Sequence, residues 1–172
     1  MRSYGAMWRE LRQGYLGALI TLVAQFLLGM ATNLFVDIPP DHPGANPPEY
    51  FSGVLQNVIW AILHGPSLLL TAHAILGLAL VAFGFRLLVP AIRSRHRPTV
   101  ITAIVGAVAM LGAGLNGGSF LNYHQDFSSM VMASFFAIAV IAYVIGLWAL
   151  PLQPESPPRG ERSPAPPAAR SL

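Results

Sequence analysis

Between Ser67 and Val89 the chain reads SLLLTAHAILGLALVAFGFRLLV, an apolar run interrupted by Thr71, His73 and, near its far end, Arg86. A hydrocarbon layer about 30 Å thick is crossed by about 20 apolar residues wound as a helix. No water is available there to the backbone, so each peptide group must close its hydrogen bonds within the segment. Residues 67–89 have that length. Arg86 lies close enough to the end for its guanidinium to snorkel toward the interface. A transmembrane helix is predicted.

Three more segments read alike: residues 14–36, 99–115 and 127–150. None carries Lys, Asp or Glu in its interior. Prolines punctuate the series. Pro66 precedes the second span, Pro90 is read as ending it, Pro98 opens the third, and Pro151 follows the fourth. Helix interiors disfavour proline by about 3 kcal/mol, so this spacing predicts an all-α, four-helix transmembrane bundle. Residues 14–150 form the membrane domain, residues 1–13 a cytoplasmic segment. The first apolar run is too long for a cleaved signal peptide, whose core is about 7–15 residues, and is read as a retained helix.

Composition agrees. Apolar residues make up 54% of the 172 and charged residues only 10%, where a soluble domain carries about a quarter charged. All ten basic residues are Arg, and the richness in Ala, Gly, Pro and Leu points to a bacterial source. Cysteine is absent, which excludes disulfides, thiolate metal sites, thiol catalysis and thioether-linked haem. Nucleic-acid and P-loop functions are excluded by the lack of polar surface and of a Gly-rich phosphate loop.

The arginines set an orientation. Arg2, Arg9 and Arg12 precede the first span, and Arg86, Arg93, Arg95 and Arg97 cluster at the second connection. Arg159, Arg162 and Arg170 lie in the tail. The first and third connections hold none but carry Asp37, Asp41, Glu49 and Asp126. Positive residues stay inside, so both termini are predicted in the cytoplasm of a cell-membrane protein. Trp8, Tyr15 and Trp148 are expected at the inner interface, and Tyr50, Phe51 and Trp60 at the outer one.

Residues 151–172, dominated by Pro, Ser, Arg and Ala, are expected to form a disordered cytoplasmic tail. The outer loop, with Pro39, Pro40, Pro43, Pro47 and Pro48, is expected to be semi-rigid and extended. Residues 54–63 read as a short helix that either lies at the outer interface or prolongs the second span across a kink at Pro66. LGMATN (Leu28–Asn33) and LGAGLN (Leu111–Asn116) echo one another, as do HGPSLLLTA from His64 and HQDFSSMVMA from His124. Two tandem helical hairpins would produce that pattern.

Polar side chains in lipid turn toward the bundle interior or a cavity. Most lie in the outer half: Asn33, His64, Thr71, His73, Asn116, Asn122, His124, Gln125, Asp126 and Ser129. The inner half reads as nearly apolar, so a site open to the outside is expected. His73 sits about six residues into its helix, roughly 9 Å deep at 1.5 Å per residue. It is either satisfied by Asn33, Asn116 or a carbonyl, or acts as an axial haem ligand or proton carrier. Asn33, Asn116 and Met130 complete the candidate cofactor-binding set with His73 and His124. His64, His124 and Asp126 are candidate metal ligands. If the fourth helix begins near Ser119, then Asn122, Gln125, Asp126 and Ser129 share one face. His42 and His96 read as ordinary surface residues. Gly77, one turn below His73, leaves a gap for either a flat ligand or a helix contact. Small-residue pairs at Ala113/Gly117 and Gly114/Gly118 favour close helix packing.

A four-helix membrane bundle with histidines on facing helices resembles cytochrome b561 and one half of haem A synthase. That resemblance implies b-type haem or quinone-linked redox chemistry, with His124 or Met130 opposite His73. Those families pair histidines at matched depth, whereas His73 lies deeper than His124. NLFVDIP (Asn33–Pro39), LLLTAH (Leu68–His73) and GGSFLNYHQDFSSMVMA (Gly117–Ala133) also resemble a family of small four-span bacterial membrane proteins, which implies topology and no activity. The alternative to redox chemistry is a non-enzymatic subunit or accessory protein binding a lipid, a small molecule, a metal, a membrane partner or a second copy. A lipid-directed enzyme would need a dyad such as Ser128 or Ser129 with His124.

Overall fold

The computed structural model describes residues 4–151. Most of the tail expected to be disordered, residues 152–172, lies outside the described residues, as do residues 1–3 of the N-terminal segment. The described chain is all helical: α1 (Tyr4–Phe35), α2 (Tyr50–Leu63), α3 (Leu68–Ser94), α4 (Arg97–Tyr123) and α5 (Asp126–Trp148). α1, α3, α4 and α5 are long and apolar enough to cross a membrane, and α2 is not.

α3 starts where Ser67 turns extended and its hydroxyl accepts the amides of Leu69 and Leu70, satisfying two of the open donors of the first turn. Pro90 does not end it. The helix runs on to Ser94 and stops only where Arg95 adopts a left-handed conformation, φ 53°. A proline costs one i→i−4 bond, here that of the Arg86 carbonyl, and continued packing on α1 outweighs the loss.

α4 is longer than the expected residues 99–115. Its last two turns, GGSFLNY, open on two glycines and include Ser119 and Asn122, yet they stay helical because α2 packs on them. A β-carbon on Gly118 would meet Val54 at 2.7 Å, and Asn122 is fully buried. The break falls at His124, φ 52°, whose amide still bonds the Phe120 carbonyl. Residues 119–123 therefore close α4 and do not open α5. Asn122 is split from Gln125, Asp126 and Ser129, and no shared helical face exists. LGAGLN lies within α4, whereas LGMATN lies in the closing turns of α1.

The four long helices close a ring: α1 packs on α3 and α5, and α4 packs on the same two. Two tyrosines fill its interior at the Arg-rich end. The Tyr15 hydroxyl donates to the Thr99 carbonyl at 2.9 Å across the α1/α4 diagonal, and lies 3.2 Å from the Thr102 hydroxyl. The Tyr143 hydroxyl points at the Met110 sulfur at 3.8 Å. The two rings lie 5.5 Å apart, and both are wholly buried. Tyr15 and Trp8, expected at the inner interface, are buried in the bundle, while Trp148 is 87% exposed.

The outward surface of the ring is apolar on every long helix, with Ile20, Ile75, Ile101 and Ile141 exposed. Soluble monomers rarely show contiguous apolar surface beyond a few hundred Å². This is the face expected where lipid is the solvent.

Candidate functional site

At the end opposite the arginines, α2 lies across α3 and α4. Its polarity is inverted. Asn57, Gly53, Trp60 and Ala61 are buried, while Phe51, Leu55, Ile59 and Leu63 are exposed. Glu49 starts the helix by accepting the amides of Phe51 at 2.9 Å and Ser52 at 2.6 Å. Those bonds, the Ser52 amide foremost, hold its carboxyl below the usual glutamate range.

Asn57 is the hinge pin of this cap. Its amide donates to the Asn122 side-chain oxygen on α4 and, at 3.1 Å, to the Gly44 carbonyl in the loop before α2. Asn122 accepts the Asn46 amide at its own carbonyl, 2.8 Å, and reaches the Tyr50 carbonyl at 3.4 Å. Gly44 has φ +95°, a conformation that glycine adopts without steric cost. Tyr50 donates to Leu115 at 3.1 Å, and Thr71 to Ala61 at 2.8 Å, tying α2 to α4 and α3. The proline-rich loop is thus pinned, not merely extended.

His42, read as an ordinary surface residue, stacks on Trp60 with ring centroids 4.1 Å apart and planes 11° from parallel. Its Nε2 is buried without a hydrogen-bond partner. The His124 ring lies 6.0 Å away, exposed beside Tyr123, Gln125 and Asp126. The cap thus offers a fixed imidazole on an indole, edged by a polar rim.

The intramembrane candidate His73 finds neither Asn33 nor Asn116. Asn33 is exposed, and Asn116 donates to the Gly112 carbonyl of its own helix at 2.9 Å. The partner is Gln25 on α1, absent from the polar inventory. Its Nε2 lies 3.3 Å from His73 Nε2 and 3.1 Å from the His73 carbonyl. The same amide fills the gap at Gly77, where a β-carbon would meet it at 3.1 Å. Gly29 lets the histidine in: a β-carbon there would stand 2.8 Å from Cε1, 3.3 Å from Nδ1 and 3.6 Å from Nε2. The nitrogen-bearing edge of the ring therefore faces α1 backbone. Gln25 lies against Nε2, and Nδ1 is buried without a hydrogen-bond partner. Met130 is exposed on α5, and His124 belongs to the cap.

The metal set does not assemble. His64 caps α2 with an exposed side chain, and among the described residues no three His, Asp or Glu side chains come together to hold a metal ion. The Ser128 hydroxyl is given to Ser119 at 3.2 Å, not to His124. The inner half is more polar than expected: His96 Nδ1 lies 2.8 Å from the Thr99 hydroxyl and its ring meets Trp8 edge-on at 5.8 Å. No protein-family model, curated protein or solved structure matches the chain.

Proposed function

We propose that the chain is a multi-pass protein of a bacterial cell membrane, with both termini cytoplasmic, acting as a non-enzymatic subunit whose α2 cap receives an extracytoplasmic segment of a membrane partner. The pinned loop supports this reading. Two buried asparagines and a left-handed glycine hold residues 42–46 against α4. A loop fixed in this way presents the same surface at all times, which lowers the ordering cost of association. The exposed apolar stripe of α2 rests in the outer leaflet, and the rim from Tyr123 to Asp126 faces water.

Orientation follows from the arginines. With no native cysteine, a single introduced thiol reports it. Gln125→Cys should react with an impermeant maleimide in intact cells, and Arg95→Cys only after permeabilisation. The reverse pattern overturns the topology. A photo-crosslinking residue at Gln125 should give one defined adduct in the native membrane, and one at Ile141, on the lipid-facing surface, should give none. Absence of any cap adduct, or a Soret band in the purified protein, would overturn the subunit reading.

A further inference from the structure

At the Arg-rich end, α1 and α3 touch where Gly14 meets Leu87. Beyond that contact a cleft of about 920 Å³ opens between them, lined by Met7, Glu10 and Gln13 of α1 and by Phe83, Arg86, Pro90 and Arg93 of α3, among others. Its charged lining is two arginines against one glutamate. Arg86 and Arg93 are seven residues apart, so they share one face of the helix about 10 Å apart along its axis. Pro90 stands between them and leaves the Arg86 carbonyl without its usual i+4 donor.

Arg86 does not reach for the nearer interface. Its guanidinium carbon lies 5.9 Å from the centre of the Phe83 ring, one turn deeper. A helical side chain leans toward the N-terminus of its helix, and in α3 that direction leads into the apolar layer. An arginine without an anion is costly there. Among the described residues Arg86 makes no ion pair, and its guanidinium lies over the Phe83 ring. Arg93 lies in the last turn of α3, where a helix crossing a bilayer meets the headgroups. The cleft thus joins two cations at graded depth to an apolar wall open to lipid.

We propose that this cleft binds one anionic phospholipid. The phosphate lies between Arg86 and Arg93, where guanidinium forks match its oxygens, and an acyl chain runs along Phe83 and Leu87. Basic pockets between transmembrane helices hold anionic headgroups by this chemistry. This proposal needs the bundle to lie in a membrane and is independent of the cap's partner.

The test uses the full chain, reconstituted in nanodiscs of phosphatidylcholine containing a minor fraction of phosphatidylglycerol, then released into mild detergent for native mass spectrometry. Wild-type protein should retain one phosphatidylglycerol in preference to phosphatidylcholine. Arg86→Gln and Arg93→Gln should each lower that retention about fivefold, at roughly one basic-residue contact each, and the double variant further. Arg95→Gln, outside the cleft, should not. Inorganic phosphate at millimolar concentration should not displace the lipid. Equal retention by all variants, or an equal loss with Arg95→Gln, overturns the site. Displacement by phosphate alone would mean a free-anion site. Melting temperature of each variant in detergent without phosphatidylglycerol separates lost binding from lost folding.

Discussion

Replacing Asn122 with alanine should loosen the cap without unfolding the bundle. The side chain is wholly buried and accepts one of the two amide hydrogens of Asn57, the other going to Gly44. Truncation strands a buried N–H, which costs about 1–3 kcal/mol. The weaker contact to the Tyr50 carbonyl, 3.4 Å, adds little. Because the damage is confined to the loop and α2, it should appear as local opening. Hydrogen exchange at the Asn46 amide, which donates to the Asn122 backbone carbonyl at 2.8 Å, should quicken about 5- to 150-fold, the rate equivalent of that range. Exchange around Tyr15 and Thr99, at the other end of the ring, should not change. Asn57→Leu should act alike, and the pair together should cost about 1 kcal/mol less than the sum, since each single variant strands the other's polar group. Additivity within about 0.3–0.5 kcal/mol, or uniform quickening across all five helices, would refute the picture of a cap pinned through these two side chains.

Gly106→Ala should destabilise the protein by about 1–3 kcal/mol, because its β-carbon would collide with the buried Tyr143 ring. Gly17→Ala, whose nearest neighbour is Phe83 at 3.9 Å, should leave stability in detergent unchanged or raise it by about 0.5 kcal/mol. Gln25→Leu and His73→Leu should each lower the melting temperature more than the double replacement, since removing both partners leaves no unpaired polar group. At acid pH the cap of α2 should fray. Glu49 has a depressed folded pKa, so its contribution is complete above the unfolded glutamate range and is lost as pH falls through the folded value. Exchange at the Phe51 and Ser52 amides should rise over that window in the wild type and show no such pH step in Glu49→Gln.

The spans were legible because one physical demand dominates them: length of apolar chain. Their ends were not. Pro90 looks like a terminus by local rules, and the packing of α3 on α1 overrides it. GGSFLNY looks like a loop by composition, and α2 makes it helix. In both places the deciding packing comes from residues distant in sequence, the core of Trp8 and Leu11 that Ala91 joins, and Val54 for Gly118. The left-handed cap at His124 had a local sign, since polar residues cluster there, but that cluster reads equally well as a helix start.

The site was legible by residue type and not by partnership. His73 stood out, and the gap at Gly77 was visible one turn below it. What fills that gap is a carboxamide from another helix, and Gln25 is inconspicuous as a single uncharged polar residue among apolar neighbours. His42 shows the same limit. Nothing in DHPG announces that its ring will lie on Trp60; that stacking depends on Gly44 turning left-handed and on Asn57 catching its carbonyl. A histidine deep in an apolar helix attracts a ligand hypothesis because charge and metal affinity are rare there. Each of the two histidines keeps one buried nitrogen without a partner, Nε2 in His42 and Nδ1 in His73; the one that lies beside an exposed polar rim is His42. Depth in the membrane marks where a polar group is expensive. Only its neighbours show whether the bundle has already satisfied it.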